Sequence, residues 1–305
     1  MAKLPLVIIN SPTATGKTEL AVNLALEFGG EIISADSMQV YRFLDIGTAK
    51  PTMEERRGIR HHLIDIVNPD QDFNAALFAE SARKIISELS EKRIPVFVVG
   101  GTGLYIRALL KGIIDTPDVD EKIRNYYRML RDTHGKKYLY DLLLKRDAVA
   151  AAQINPNDSV RVIRALEVLE QTGESITLKQ KKHSFADAPY CAYKIGLQIE
   201  RKELRQRIEL RTDKMIADGL LDEVKRVLAM GYSNDLKPLQ SLGYKQIIGF
   251  LHNKYDWQNC ANLIKRDTWQ YARRQMTWFA ADKEINWFSP DSFEEIRNNV
   301  KHFQP

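Results

Sequence analysis

Residues 11–18, Ser11-Pro12-Thr13-Ala14-Thr15-Gly16-Lys17-Thr18, carry the strongest chemical signal in the chain. They follow the P-loop spacing, a glycine, four residues and then Gly-Lys-Ser/Thr, which cradles a di- or triphosphate. Backbone N–H groups at a helix N-terminus supply that anion site. Lys17 would reach phosphate oxygens, and the Thr18 hydroxyl would hold Mg²⁺. Ser11 stands where the pattern has its first glycine, at a cost in backbone freedom.

Two further segments belong beside this loop. Asp36 ends the apolar run Ile32–Ala35 and could serve as a base next to the phosphates; the plainer reading is a turn cap. Gly100-Gly101-Thr102-Gly103 ends the run Val96–Val99, where a nucleotide hydrolase would carry a Mg²⁺-supporting aspartate. A P-loop therefore specifies a diphosphate or triphosphate here without specifying ATP.

The elements that must position these residues read as alternating strand and helix. Leu6–Ile9 is a strand buried on both faces, and Glu19–Phe28 has helical spacing closed by Gly29-Gly30. Glu31–Ala35 and Pro95–Val99 are further strands, with a helix over Ala75–Lys92 between them. The pattern predicts an α/β fold, a parallel sheet core flanked by helices of the P-loop NTPase-like kind. From Asp120 to Gln180 the spacing is helical and charged, over Glu121–Arg131, Lys136–Leu144 and Asp158–Gln171. A strand at Tyr193–Ile199, one long helix over Glu203–Met230, a helix over Asn262–Ala281 and a short strand at Trp287-Phe288 follow. The expected organisation is a catalytic core of residues 1–115 and 190–305, with a helical insertion over 116–189.

Composition narrows the class. With 44% apolar and 28% charged residues, the chain is neither disordered nor fibrous. No apolar run reaches about 18 residues, and the N-terminal run leads straight into the P-loop instead of a cleavage pattern. Two cysteines, Cys191 and Cys260, cannot build a zinc site; buried thiols in a reducing cytoplasm are expected. His61-His62 lacks a third ligand at metal spacing and is expected at the surface or in a loop. The net charge of +5 is compatible with a polyanionic partner. Lys265–Phe279 interleaves basic residues, including Arg273 and Arg274, with Trp269, Tyr271, Trp278 and Phe279, a pattern suited to RNA. Trp269 and Trp278 are expected in the core.

Ser34–Arg42 running into Asp45-Ile46-Gly47-Thr48-Ala49-Lys50-Pro51 resembles the tRNA dimethylallyltransferases. So do Gly100–Tyr105, Asn157-Asp158, Arg164–Val168, Gln240–Lys245 and Thr268–Gln275 with Thr277–Phe279, all in family order and spread over nearly the whole chain. The resemblance implies transfer of a dimethylallyl group from dimethylallyl diphosphate. The acceptor would be the exocyclic N6 amine of the adenosine 3′-adjacent to the anticodon of tRNA. Asp36 would then be the base and Thr102 a donor to the bridging oxygen, and Arg211 holds the position of a further cradle arginine. It also implies tRNA contacts at Asp36, Ser37, Met38, Gln39 and Thr102, at Val160, Arg161, Val162, Ile163 and Arg164, at Gln240, Ser241, Leu242, Gly243, Tyr244 and Lys245, and at Arg124 of the insertion. Mg²⁺, a monomer and the bacterial type without a zinc finger complete the expectation. The competing classes are an NTP-dependent small-molecule or nucleoside kinase, which would bind ATP and ignore RNA, and a non-enzymatic P-loop switch or RNA-binding adaptor.

Overall fold

The computed structural model describes residues 3–113, 117–183 and 189–303. The chain divides into two compact units, Met1–Leu110 with Pro189–Pro305 and, separately, Lys111–Ala188. The expected break at 115/116 lies outside the described residues.

The first unit is built on six strands, β1 (Leu4–Asn10), β2 (Glu31–Ser34), β3 (His61–His62), β4 (Val96–Gly100), β5 (Tyr190–Leu197) and β6 (Ile285–Phe288). They lie in the order β3-β2-β4-β1-β5-β6, and every pairing is parallel. Parallel strands require crossovers that cover both faces, so both faces must be apolar. β1 meets this by alternation. Leu6 and Ile8 enter one core cluster, and Val7 and Ile9 enter the opposite one.

In chain order the helices are α1 (Lys17–Phe28), α2 (Met53–Arg56), α3 (Ala75–Glu91) and α4 (Gly103–Lys111). Those of the second unit are α5 (Glu121–Arg146), α6 (Ala148–Ala151), α7 (Ser159–Thr172) and α8 (Ile176–His183). The chain closes with α9 (Arg201–Ala217), α10 (Leu220–Ala229), α11 (Tyr244–Leu251), α12 (Trp257–Ala280) and α13 (Phe293–Phe303).

The second unit is helical throughout its described residues. Gly135, at φ 85° and ψ 167°, kinks α5 where the sequence pattern separates two helices. Its core is Tyr127, Leu139, Leu143, Val162, Ile163 and Leu166. Beside that core lies the fully buried Glu167 carboxylate, 2.9 Å from both Arg124 and Arg164 and 3.2 Å from the Asp120 amide.

Four expectations are corrected. The single helix over 203–230 is two, because Gly219 at φ 99° turns the chain between α9 and α10. His61 and His62 form an edge strand, with His62 paired to Glu31 at 2.5 Å. Of the cysteines only Cys260 is buried; Cys191 is exposed on β5. Trp278 is 39% exposed and lies outside the core.

One buried carboxylate ties the helical layer to the loop after β2. Glu223 of α10 accepts from the amides of Asp45 (2.9 Å), Ile46 (2.8 Å) and Gly47 (3.1 Å), and from the Tyr244 hydroxyl at 2.6 Å. The Tyr244 ring lies where a side chain on residue 47 would sit. Burial and the neighbouring carboxylate push the Tyr244 phenol far up, so it stays a donor. We predict that Glu223→Ala lowers the unfolding free energy by about 3 kcal/mol, because it strands three partly buried amides and a buried phenol. Urea denaturation measures this, and a loss well under ~1 kcal/mol would mean that water replaces the carboxylate.

Candidate active site

β1 ends at Asn10 and delivers the P-loop to the carboxyl edge of the sheet. Ala14 (φ 65°) and Gly16 (φ 94°) both adopt left-handed backbone there, and Gly16 caps α1. Ser11 replaces the lost glycine constructively. Its hydroxyl is 2.9 Å from Thr15 Oγ1, which in turn donates to the Pro12 carbonyl at 2.9 Å. Lys17 Nζ folds over the loop and donates to the Pro12 carbonyl at 2.7 Å. Burial and the nearby Arg211 guanidinium pull Lys17 down to about 7, against the opposing pull of Asp36.

Asp36 follows β2 directly. Its Oδ1 accepts from Met38 N (2.8 Å) and Gln39 N (3.3 Å), so the turn-cap reading is realised. Oδ2 takes no hydrogen bond among the described residues. Gln39 accepts from the Ser34 hydroxyl and donates to the Ala49 carbonyl, tying this turn to the 45–50 loop. Thr102 follows β4 and lies alongside. Its amide donates to the Ala35 carbonyl at 3.3 Å, and its Oγ1 accepts from Ser37 N at 3.1 Å.

One face of α12 closes over these turns. Tyr271, Gln275 and Trp278 recur at four- and three-residue spacing, so they share a face. Gln275 accepts from the Thr13 amide and donates to the Gly101 carbonyl, both at 2.9 Å. A Cβ at Gly101 would collide with Gln275, and one at Gly103 with Trp278. This packing gives the Gly-Gly-Thr-Gly run a steric reason. From α9, Arg211 donates to Thr13 Oγ1 at 3.1 Å. Burial lowers its guanidinium, partly offset by Asp36 and Glu55.

Three cavities of about 340, 90 and 690 Å³ meet along this line. Arg211 lines all three. Asp36 and Tyr271 line the first two, and Lys17 and Thr18 the last two. The arrangement is a channel with a P-loop at one end and, at the other, an opening bordered by Met38, Gln240–Gly243, Lys245 and Arg274.

The sequence-expected RNA residues separate by burial. Arg161 and Val160 are exposed, Val160 by 75%. Val162, Ile163 and Tyr244 are buried at 4% exposure or less, so their side chains belong to cores and are removed from the contact set. Arg124 and Arg164 engage Glu167. Ser37, Met38, Gln240, Ser241, Leu242 and Lys245 border the first cavity. Arg274 does too, while Arg273 lines a separate cavity of about 460 Å³ beside Pro12 and Trp287. Neighbours on a helix point about 100° apart.

Sequence reasoning missed Gln275 and Tyr271 as site residues, although their i, i+4 spacing was visible. It also missed Lys50, which donates to the Tyr41 carbonyl at 2.6 Å and pairs with Asp45 and Asp65. Only the fold reveals that partner set.

Comparison with known proteins agrees with this geometry. The family described as IPP transferase matches residues 39–282. A protein from Syntrophus aciditrophicus named tRNA dimethylallyltransferase 2 is 54% identical over 298 residues, covering 98% of this chain and 96% of the relative. The protein of that name from Geotalea uraniireducens is 51% identical, covering 99% and 97%. Among solved structures, the tRNA isopentenylpyrophosphate transferase of Bacillus halodurans superposes with a TM-score of 0.73 at 38% identity, covering 99% of this chain and 97% of its own. A eukaryotic dimethylallyltransferase acting on tRNA gives 0.77 at 25% identity, with 98% and 77% covered. A match over most of the chain, together with relatives this similar over nearly its full length, leaves one conclusion: the chain belongs to the IPP transferase family.

Proposed function

We propose that this protein transfers the dimethylallyl group of dimethylallyl diphosphate to the N6 amine of the adenosine 3′-adjacent to the anticodon in tRNA, releasing diphosphate. The single observation that carries the reading is the channel in which the P-loop and Asp36 share the Arg211-lined wall. The names of the relatives support the reaction class and give the kinase and adaptor alternatives no support.

An aryl amine is a weak nucleophile, because its lone pair is delocalised into the ring. It attacks C1 of the allyl group as Asp36 takes the N6 proton, and the C1–O bond breaks with its electrons passing to the diphosphate oxygen. That developing charge is met by the loop N–H groups of residues 14–16, Lys17, Arg211 and the Thr102 hydroxyl. The channel walls keep water from an allylic cation. The adenosine reaches Asp36 only when turned out of the anticodon-loop stack. Ser37, Met38, Gln39, Gln240, Ser241, Leu242, Gly243, Lys245, Arg274, Val160 and Arg161 would contact the RNA, with Arg124, Arg164 and Arg273 as further cationic candidates.

A divalent cation fits the donor set. The Thr18 hydroxyl lines both phosphate-side cavities, and no group of three His, Cys, Asp or Glu forms a protein cage among the described residues. Mg²⁺ keeps several waters and takes substrate phosphate oxygens, so one protein hydroxyl suffices. When bound, it would neutralise diphosphate charge. No helix among the described residues is long and apolar enough to cross a membrane. We place the reaction in the cytoplasm, on a monomer.

Asp36→Ala is expected to lower kcat by 10²-fold or more, as loss of a general base does, while tRNA affinity changes little. Label transfer from dimethylallyl diphosphate to unmodified tRNA measures the first, and filter binding the second. Equal losses in both would remove the base assignment. Lys17 near 7 gives a second expectation. Above that pH the unliganded amine is neutral, and a bound diphosphate restores its charge, so binding takes up a proton. Pyrophosphate affinity should therefore weaken as pH rises from about 6.5 to 8.5, and Lys17→Met should flatten that dependence. Calorimetry in buffers of different ionisation enthalpy reads the proton directly; identical profiles for the two proteins would contradict the cradle role.

A further inference from the structure

On the phosphate side of the channel, one residue of the wall carries a buried acceptor that no donor among the described residues reaches. That residue is His61. The register of the edge strand pairs His61 with Ile32 and His62 with Ile33. Side chains alternate along a strand, so the two rings lie on opposite faces of the sheet. Ile33 enters one core cluster, whereas Ile32 enters the cluster beneath α1, with Leu20 and Ala21. His62 pairs with Glu31 on the first face. His61 faces α1 and lines the cavity of about 90 Å³ together with Lys17, Thr18, Ala21 and Asp36.

The tautomer of His61 follows from its partner. Nδ1 lies 3.0 Å from the Ile59 carbonyl, which can only accept, so Nδ1 carries the proton. Burial, helped by Arg56 and His62 and opposed by that carbonyl, holds the ring below its ordinary pKa, which keeps it neutral at neutral pH. Nε2 therefore presents a lone pair, and it is buried with no hydrogen-bond partner. Such atoms are rare in folded proteins, because an unpaired buried acceptor costs free energy. A diphosphate cannot satisfy it, since ionised phosphate oxygens are themselves acceptors. The donor that arrives with a diphosphate is water on its counter-ion. Mg²⁺ dehydrates reluctantly and keeps several waters, and it prefers oxygen to imidazole as a direct ligand.

We propose that His61 is a positioning residue for the divalent cation of the donor: its Nε2 accepts a hydrogen bond from a water of the hydration shell, while Thr18 supplies the protein oxygen. The inference rests on the cation site proposed above and adds an outer partner to it. The Nδ1 bond to Ile59 then has a task, because it fixes both the tautomer and the plane of the ring. Outer partners held in this way orient what they contact and raise metal affinity.

Calorimetry with inorganic pyrophosphate tests this without the transfer reaction. His61→Phe keeps a planar ring and removes the acceptor, and His61→Gln returns an acceptor oxygen near the place of Nε2. With Mg²⁺ present, His61→Phe should bind pyrophosphate about tenfold more weakly than the unsubstituted protein, the scale of a lost outer-shell partner. In EDTA the two should bind alike, which also shows that the variant folds. His61→Gln should recover most of the Mg²⁺-dependent affinity. Equal affinities in Mg²⁺ would overturn the inference. So would an equal loss with and without the metal, which marks a phosphate ligand or a packing role, and so would no recovery by His61→Gln. With Mn²⁺ in place of Mg²⁺, electron spin-echo modulation should detect no ring nitrogen on the metal; a directly bound nitrogen would overturn the water-mediated contact. Pyrophosphate binding that ignores Mg²⁺ in the unsubstituted protein would overturn the cation site itself, so the two failures are distinguishable.

Discussion

The site depends on one buried amide. Gln275 holds the P-loop through the Thr13 amide and the Gly101 turn through its carbonyl, so the ends of β1 and β4 keep a set separation. Neither loop could do this alone, since adjacent strand ends carry unpaired backbone groups that point into the crevice. An amide is suited to the task because it offers donor and acceptor at once without charge. A carboxylate at residue 275 could accept from Thr13 but would face the Gly101 carbonyl with a second oxygen. The glycines at 100, 101 and 103 follow from the same arrangement, since each approaches backbone or an α12 side chain too closely for a Cβ.

The electrostatic design is a cradle that resists its own charge. Lys17 and Arg211 converge on the P-loop with Asp36 as the nearby opposing charge, and burial depresses both cations. A diphosphate would relieve that repulsion, so stability given up in the empty site returns as binding energy when the donor enters. Groups held against their preferred ionisation gather at functional sites for this reason. The 45–50 loop, which forms one wall, is anchored by the Glu223 carboxylate in a nest of three amides. Negative charge is thereby spent on architecture, away from the phosphate side.

A parallel economy operates in the helical unit. Glu167 is fully buried and draws Arg124 and Arg164 to itself, so two of the basic residues of that unit serve its own packing. Removing either arginine would leave a buried carboxylate undercompensated, which makes them poor reporters of RNA binding. Val160 and Arg161, on the exposed first turn of α7, carry no such burden.

Much of this protein was legible along the chain. The P-loop register, the apolar strands flanking it, the helical insertion and the positions of Asp36 and Thr102 at strand ends are local properties, set by side-chain type at spacings of two, four or seven residues. Local pattern also left a gap between helices at residues 132–135, where Gly135 kinks α5. It failed at Gly219, where an amphipathic period continues across a turn that only the packing of α9 and α10 reveals. It failed at His61-His62, whose strand is two residues long and exists because β2 offers an edge. It overcounted RNA contacts, because Val162, Ile163 and Tyr244 lie in informative strings yet point inward. What the sequence alone determined was which residues could do chemistry and which strand ends would present them. Tertiary structure alone decided that Tyr271 and Gln275, more than 250 residues from the P-loop, converge on it. Contacts between distant segments depend on how helices stack on the sheet, and no periodicity within one segment encodes that.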